Sequence, residues 1–441
     1  VRLSPPSMLA LVFLAALVCL AAPAAAVAGE LARLKADGKL PKGFSVGAAS
    51  LGFNPAEKPS MDAKMKLSLL ALEEPTDSFA AVFTKNQFPG APVIVGKKRL
   101  AASHIQAVVI NNKISNVCAG SAAGGVADSE RVCTELAKTL GIASKDLVIP
   151  CSTGIIGWRL PVDEMVASLP ALVQSRQSES GFDAAVGIMT TDSYPKLRAA
   201  ETCGGRVVAF AKGAGMIEPN MATMLGFVLT DVAVPRDDLR AILSRVAATT
   251  FNCISVDGDQ STSDTVLALS SKKVPLPSGE GALADFESAL ARVCGALAED
   301  IVRNGEGVKH VMQVRVSGAP DEDVARRVGK SVVNSNLFKC AVAGNDPNVG
   351  RIIAAVGSCV GNSIPGLSLD ACTVAMGGRT LFKEGRFELD GDTEDVLFEY
   401  LRDAELPPQP HGPNDEWPFP EHERNVEIDI DLGVGSAEST V

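Results

Sequence analysis

The chain has 441 residues, 46% hydrophobic and 21% charged, which is typical of a globular protein large enough for two or three structural domains. Its net charge of −11, from 41 basic and 52 acidic residues, comes without any basic run, so nucleic acid is not an expected partner. The four histidines and ten singly spaced cysteines form no zinc-ligand or redox pattern, and no metal site is predicted.

A hydrophobic segment occupies the first 28 residues. Its apolar run, 8–28, is rich in alanine, leucine and valine, follows Arg2, is interrupted by Pro23 and ends in small residues. This composition is typical of a targeting peptide with small-residue cleavage sites. The run is long enough to span a bilayer, but its alanine content and its proline favour targeting over anchoring. We therefore predict that residues 1–28 are a hydrophobic targeting segment.

Short apolar runs typical of buried strands alternate with helical patterns through the rest of the chain. Strands are predicted at 67–72, 80–84, 107–111, 147–150, 184–190 and 207–211. Asp128 is the predicted cap of one helix, Pro235 the predicted start of a second, and a third amphipathic helix is predicted over 283–297.

Strict alternation of apolar and polar residues marks two strands nearer the C-terminus, at 312–316 and 426–432. Such alternation predicts strands with one buried and one exposed face. The stretch 406–422, rich in Pro, Asp and Glu, is predicted to be a surface loop. The mixture of elements predicts an α/β or α+β fold of layered sheets and helices.

The segment 212–225 (KGAGMIEPNMATML) bears the clearest chemical signal. It places Thr223 where a glycine-punctuated turn meets an apolar run. A threonine hydroxyl is a weak nucleophile unless a base lies beside it, and cleavage of the chain before the threonine makes its own α-amine that base, with a pKa of about 7.7–8.0. Taken alone, the pattern is more typical of a threonine that begins a strand after a Gly/Pro turn.

Five segments together resemble the glutamate N-acetyltransferase/ornithine acetyltransferase family of arginine biosynthesis. Besides 212–225, they are 83–93 (FTKNQFPGAPV), 151–157 (CSTGIIG), 188–192 (IMTTD) and 344–351 (GNDPNVGR). They occur in order, and several motifs in register are more specific than one. The sequence departs from the family pattern at Val308, where a small or hydroxyl residue is expected, and at Val349, where tryptophan is usual.

The resemblance implies how the chain is processed. Family members cut themselves before the threonine, so self-cleavage between Ala222 and Thr223 is expected. It would yield an α segment, 29–222, and a β segment, 223–441, folded together as one interlocked unit with a self-processing N-terminal-threonine acyltransferase fold. The resemblance further implies a heterotetramer of two α and two β chains and no cofactor.

Thr153 and Gly154 follow the predicted strand 147–150, in a turn where a hydroxyl and a backbone N–H can point the same way. Acyl transfer needs such donors aimed at the oxygen that becomes negative in the tetrahedral intermediate. The resemblance implies that this pair is the oxyanion hole. Without the resemblance, a turn or a helix cap is the simpler explanation.

Three further residues are implied as substrate contacts. Lys212, beside the expected nucleophile, suits a substrate carboxylate. Thr190, with Thr191 as its neighbour, ends a predicted strand. Glu306, in a Gly-Glu-Gly turn after a long helix, suits the side-chain ammonium of ornithine through a charge-assisted hydrogen bond. Without the resemblance, a solvated lysine and an exposed acid at a helix end would explain Lys212 and Glu306.

The resulting hypothesis is an acetyltransferase with a threonine nucleophile. Thr223 takes acetyl from N-acetylornithine, ornithine leaves, and glutamate accepts the acetyl group to give N-acetylglutamate. Acetyl-CoA is a further candidate donor, because some family members use it. Two alternatives stay open from the sequence: a self-processing threonine aminopeptidase or amidase in which water replaces glutamate, and an inactive binding protein with the same fold.

Two expectations concern the ends of the chain. In this family the hydrophobic leader implies import into an organelle, a plastid or the mitochondrial matrix, although Glu30 and Asp37 do not suit an ordinary transit peptide; a cytoplasmic location is the alternative. Family members also continue into a final segment that supplies an asparagine and a hydroxyl residue to the substrate pocket. Because the sequence begins with Val1 and stops at Val441, we expect it to be a fragment of a longer product.

Overall fold

The computed structural model describes residues 30–120, 122–218, 224–407 and 424–441. Outside these ranges lie the predicted targeting segment 1–28, both residues of the predicted cleavage site, Ala222 and Thr223, and most of the predicted loop 406–422.

The elements of the described chain alternate between strands and helices. The strands are β1 (Phe44–Phe53), β2 (Ala63–Thr76), β3 (Phe79–Phe83), β4 (Ile105–Asn111), β5 (Val148–Ser152), β6 (Lys196–Thr202), β7 (Gly205–Lys212), β8 (Leu225–Val232), β9 (Thr265–Val274), β10 (Met312–Ala319), β11 (Thr373–Met376), β12 (Arg379–Lys383), β13 (Arg386–Phe387), β14 (Val426–Asp431) and β15 (Ala437–Thr440). The helices are α1 (30–37), α2 (Ala91–Arg99), α3 (Ala122–Leu140), α4 (Val162–Gln174), α5 (Phe182–Gly187), α6 (Arg236–Thr249), α7 (Ala282–Arg303), α8 (Glu322–Val333), α9 (Asn336–Ala343), α10 (Val349–Ser363) and α11 (Gly391–Asp403).

A four-stranded sheet has the order β1-β2-β4-β5. β1, β2 and β4 pair antiparallel, and β5 runs parallel to β4. A parallel pair needs a crossover connection, which α3 supplies here. The helices α3 and α4 cover the outer face of the sheet, where Leu136 and Leu169 pack against Leu69 and Val109.

A five-stranded sheet has the order β3-β9-β8-β7-β6. β8 and β9 are parallel and joined through α6, whereas β7 pairs antiparallel with β8. The helices α6 and α7 cover the outer face. β7 belongs to the predicted α segment and β8 to the predicted β segment. A cut between them would therefore leave two chains joined through one hydrogen-bonded sheet.

The inner faces of these two sheets pack against each other. Leu70 and Val108 of the first sheet share a buried cluster with Phe210 and Phe227 of the second, and each is at most 1% exposed. Successive side chains of a strand point to opposite faces, so each sheet offers one face to its partner sheet and the other to its helices. The result is a helix–sheet–sheet–helix sandwich, and the predicted fold of layered sheets and helices is confirmed.

A third sheet, of order β13-β12-β11-β14-β10-β15, follows in the C-terminal part. In β14 every second residue is buried, as the alternation predicted, and Val426, Ile428 and Ile430 share a cluster with residues of α8, α10 and α11. The predicted strands at 312–316 and 426–432 are thus confirmed. α10 begins after Asn348, whose side chain accepts a hydrogen bond from the Arg351 N–H, so the motif 344–351 serves as a helix cap.

The predicted strand 184–190 is wrong, because the structure forms α5 there. A short apolar run does not distinguish a buried strand from a buried helix. Ala184 and Ala185 are fully buried in the cluster between the two inner sheets, and alanine has the highest intrinsic helix propensity.

The predicted cap at Asp128 is also wrong, since α3 already begins at Ala122. Gly125 is needed there for a tertiary contact: its carbonyl accepts a hydrogen bond from Asn116 at 2.9 Å, and a Cβ at this position would lie 2.8 Å from the Asn116 side-chain oxygen. Within the described ranges, no helix is both long and apolar enough to cross a membrane.

Candidate active site

A polar cavity of about 560 Å³ opens at one edge of the packed sheets. It is lined by the turns after β4 and β5, the end of β7, the start of β8, the residues just before β9, and the turns after α5 and α7. Because β7 is antiparallel to β8 and β9, its C-terminal end meets their N-terminal ends at the same edge. The cavity brings together every predicted site residue that the structure describes. These are Thr153, Gly154, Thr190, Lys212 and Glu306.

Thr153 and Gly154 form a turn directly after β5. The Thr153 N–H donates to the Asn111 carbonyl at 3.0 Å, which ties the turn to β4. Gly154 has a φ of 123°, and a Cβ there would come within 2.2 Å of the Lys113 carbonyl carbon, so no larger residue fits this conformation. The Thr153 hydroxyl and the Gly154 N–H donate to no other group of the described chain. Both are therefore available to an oxygen of a molecule in the cavity.

The loop before the predicted cleavage bond is anchored at several points. The N–H groups of Met216 and Ile217 donate to the Asp257 carboxylate at 2.5 and 2.9 Å. Glu218 pairs with Lys330 of α8 at 3.2 Å. Met224, which follows the expected nucleophile Thr223, also lines the cavity. The two flanks of 219–223, a segment outside the described ranges, are thus held at the cavity.

Glu306 and Thr191 form an acidic corner of the cavity. The Thr191 hydroxyl donates to the Glu306 carboxylate at 2.6 Å, and the Glu306 N–H donates to the Ala214 carbonyl at 2.7 Å. Gly215 permits this approach, since a Cβ there would lie 2.9 Å from the Glu306 carboxyl carbon. Of the threonine pair, Thr191 rather than Thr190 contacts Glu306, and both line the cavity.

The sequence reasoning missed a buried ion pair beneath this corner. The side chains of Asp192 and Lys196 are both 0% exposed and lie 2.6 Å apart. Asp192 also accepts hydrogen bonds from the N–H groups of Gly213 and Thr190, at 2.7 and 2.9 Å, and so links the two turns. Burial would raise the pKa of Asp192, but the charges of Lys196 and Lys212, with hydrogen bonds from Lys196 and the Thr190 N–H, lower it to about 2.

Replacement of Asp192 by asparagine is expected to destabilise the fold strongly. It leaves the Lys196 ammonium buried without a counter-charge, which costs about 3–5 kcal/mol of the free energy of unfolding. The folded-state pKa lies below the ordinary 3.8. The wild-type pair therefore stabilises the fold above about pH 4, and this stabilisation is lost as the pH falls toward 2.

Urea unfolding of Asp192→Asn in an uncleaved Thr223→Ala background measures the loss. Asp163→Asn is the matched control, because its pair with Arg131 is largely exposed and exposed pairs contribute little. Equal urea midpoints for the two variants would show that the Asp192 pair does not stabilise the fold.

Lys212, at the end of β7, is partly buried in the cavity. Burial lowers the pKa of its ammonium, an effect opposed by the nearby Asp192, Asp264 and Glu306 carboxyls. Among the described residues, no group of three or more His, Cys, Asp or Glu side chains is arranged to hold a metal ion. The arrangement offers hydrogen-bond donors, three lysines (Lys64, Lys113 and Lys212) and two acidic side chains (Asp264 and Glu306) to a small charged molecule.

Comparisons with known proteins support a specific relationship. A model described as the ArgJ family matches residues 54–441. The arginine biosynthesis bifunctional protein ArgJ of Bifidobacterium longum is 34% identical over 404 residues, which cover 91% of this chain and 94% of that protein. The corresponding ArgJ 2 of Clostridium acetobutylicum is 35% identical over 82% of this chain and 89% of its own length.

One solved structure among the matches is ornithine acetyltransferase of Mycobacterium tuberculosis, in complex with ornithine. It is 31% identical, with a TM-score of 0.34, and the match covers 42% of this chain and 97% of that one.

The layered fold and the ArgJ relatives define the chain as an enzyme, and its polar cavity is the candidate active site. The chain belongs to the ArgJ family. The family resemblance read from the sequence is thereby confirmed.

Proposed function

We propose that this chain is a glutamate N-acetyltransferase (ornithine acetyltransferase) that carries acetyl from N-acetylornithine to glutamate on Thr223. One observation carries the proposal. A single cavity holds Thr153, Gly154, Lys212 and Glu306, and it is flanked by both chain segments that lead to residues 219–223. These groups come from distant parts of the sequence, and each supplies one of the functions that acyl transfer requires.

In the proposed reaction the chain first cuts itself between Ala222 and Thr223, and water supplies the hydroxyl of the new Ala222 carboxyl group and the proton of the new Thr223 α-amine. The new α-amine then takes the proton of the Thr223 hydroxyl, whose oxygen attacks the acetyl carbonyl of N-acetylornithine. The Thr153 hydroxyl and the Gly154 N–H donate to the oxyanion. The carbon–nitrogen bond breaks, and ornithine leaves with the proton. The α-amine of glutamate attacks the resulting acetyl ester, and the Thr223 oxygen regains a proton as N-acetylglutamate departs.

The charged groups of the cavity suit both substrates. Lys212 is proposed to pair with the α-carboxylate that N-acetylornithine and glutamate share. Glu306 is proposed to receive the ornithine side-chain ammonium, a charge-assisted contact. Thr190, which lines the same cavity, is proposed as a further polar contact to the substrate.

An acetyl-transfer assay tests the proposal. Purified protein is incubated with N-acetylornithine, with and without glutamate, and the products are quantified by mass spectrometry. We expect equal amounts of ornithine and N-acetylglutamate, and little acetate in either reaction. Acetate formed without glutamate would favour the hydrolase alternative, and no product would favour the binding protein. Replacing N-acetylornithine by acetyl-CoA in the same assay tests the second donor.

Replacement of Glu306 by glutamine is expected to raise the KM for N-acetylornithine about tenfold or more. A hydrogen bond to a charged group contributes about 1.5–3 kcal/mol, and 1.4 kcal/mol corresponds to a factor of ten. The kcat is expected to change little, because the ammonium is paired in both the ground state and the transition state. Steady-state kinetics with varied N-acetylornithine measure both constants.

Glu280→Gln is the matched control for Glu306→Gln. Glu280 precedes the 22-residue helix α7 and Glu306 follows it, which separates the two acids by about 33 Å. The control is expected to keep the wild-type KM. An unchanged KM in Glu306→Gln as well would remove Glu306 from the ornithine site.

Assembly and location complete the proposal. The α segment 29–222 and the β segment 223–441 are proposed to stay associated, because β7 and β8 pair along their length. Two copies of each are proposed to form a heterotetramer, and native mass spectrometry tests for a mass near twice that of the chain.

Residues 1–28 are proposed to direct import into an organelle. A fluorescent fusion with and without this segment tests the proposal.

A further inference from the structure

Three adjacent polar side chains on the β9 side of the cavity have no place in the proposed reaction. Thr262 and Ser263 are each 9% exposed and Asp264 is 1% exposed, and all three line the cavity just before β9 begins. One side-chain oxygen of each has no hydrogen-bond partner in the described chain. A buried polar atom without a partner is costly, so three in a row at a cavity indicate a bound molecule that supplies the partners.

The backbone of these residues is held in place by the turn after β3. The Thr84 N–H donates to the Asp264 carbonyl at 3.0 Å, and the Gly90 N–H donates to the Thr262 carbonyl at 2.8 Å. Thr84 and Gly90 belong to the segment 83–93, one of the five that resemble the family. Hydrogen bonds from this turn therefore satisfy the backbone carbonyls of Thr262 and Asp264, and the three side chains lie on a fixed wall of the cavity.

The chemistry of this wall favours a carboxylate. Two hydroxyl groups donate hydrogen bonds, and burial raises the pKa of Asp264 well above its ordinary range despite hydrogen bonds from Ser261 and Thr84 and the charge of Lys212. A carboxyl whose pKa is raised keeps its proton, and so can donate a hydrogen bond, up to a higher pH than an ordinary aspartate does. The wall thus offers hydrogen-bond donors, which suit an anionic acceptor of hydrogen bonds.

We infer that Thr262, Ser263 and Asp264 form the subsite for the side-chain carboxylate of the acetyl acceptor. The inference rests on the proposed function, because it gives a place to the second substrate. N-acetylornithine and glutamate share an α-carboxylate, but the side chain of N-acetylornithine is cationic and that of glutamate is anionic. The Glu306 carboxylate that suits the ornithine ammonium repels the side-chain carboxylate of glutamate. The glutamate side chain therefore requires hydrogen-bond donors elsewhere in the cavity.

Kinetics of Thr262→Val and Ser263→Ala test this subsite. Each variant removes one hydroxyl donor at little change in volume. We expect the KM for glutamate to rise about tenfold or more, as for a lost hydrogen bond to a charged group. The KM for N-acetylornithine, measured from ornithine release in the first turnover, is expected to stay at the wild-type value. Ser270→Ala is the control, because that buried hydroxyl donates to the Val232 carbonyl of the neighbouring strand.

The two KM values separate the alternatives. An equal rise in both would mean that the wall binds the shared α-carboxylate, and no change in the glutamate KM would mean a purely structural role; either outcome overturns the inference. If the wild-type protein transfers no acetyl group at all, the proposed function itself fails.

Asp264→Asn gives an independent readout. In the wild-type protein the KM for glutamate is expected to rise with pH as the Asp264 carboxyl loses its proton and ceases to donate. The asparagine amide donates at every pH, so the variant is expected to lose this component of the pH dependence. An identical pH profile in wild type and variant would exclude Asp264 from the subsite.

Discussion

Replacing Thr223 by alanine is expected to leave the chain in one piece and to lower the rate of acetyl transfer by about 10⁴-fold or more, the scale of effect seen when a nucleophile is removed. Alanine lacks the hydroxyl that is proposed to attack the Ala222 carbonyl during processing and the acetyl carbonyl during turnover. Denaturing electrophoresis should show two bands for the wild-type protein and one for the variant. Mass spectrometry should find a wild-type fragment that begins with Thr223.

Two companion variants sharpen this test. Thr223→Ser keeps a hydroxyl group and is expected to cleave, whereas Thr139→Ala removes an exposed hydroxyl that donates to the Glu135 carbonyl within α3 and is expected to behave as wild type. An intact wild-type chain that still transfers acetyl would falsify self-cleavage as a requirement for activity.

Replacing Thr153 by valine is expected to lower kcat by about 10²–10³-fold with little change in KM, as for the loss of one oxyanion donor. Valine has nearly the same shape, so the turn after β5 should be preserved. Its backbone N–H still donates to the Asn111 carbonyl. The decrease in kcat therefore reports the loss of the Thr153 hydroxyl alone. Steady-state kinetics with both substrates measure this decrease.

The neighbouring Ser152 provides a matched control for Thr153. The Ser152 hydroxyl donates to the Asn111 side chain at 2.5 Å, and Ser152 does not line the cavity. Ser152→Ala is expected to affect stability more than kcat. Equal kcat values for Thr153→Val and the wild type would remove the Thr153 hydroxyl from the mechanism.

The candidate site was predictable where a local motif carried it. Thr153, Gly154 and Lys212 stand in the segments 151–157 and 212–225, and Glu306 stands in a Gly-Glu-Gly turn. The structure brings all four to one cavity. Asp192 and Asp264 were not singled out from the sequence, although Asp192 ends the segment 188–192 that resembles the family. An isolated aspartate in a turn has no distinguishing pattern, because its burial and its partners depend on strands that are distant in the sequence.

The sequence by itself determined the strands and helices whose apolar residues repeat with a clear period. β10, β14, α6 and α7 are examples, since their burial follows from one face turned to a core. Only the tertiary structure decided the start of α3 and the identity of α5, because Gly125 there fits against Asn116 and the alanines of α5 fill the space between two sheets. It also decided the composition of the cavity, since the turn after β5, the end of β7 and the residues before β9 meet only when the sheets pack. Periodicity is a local property, whereas a shared edge depends on which strands become neighbours.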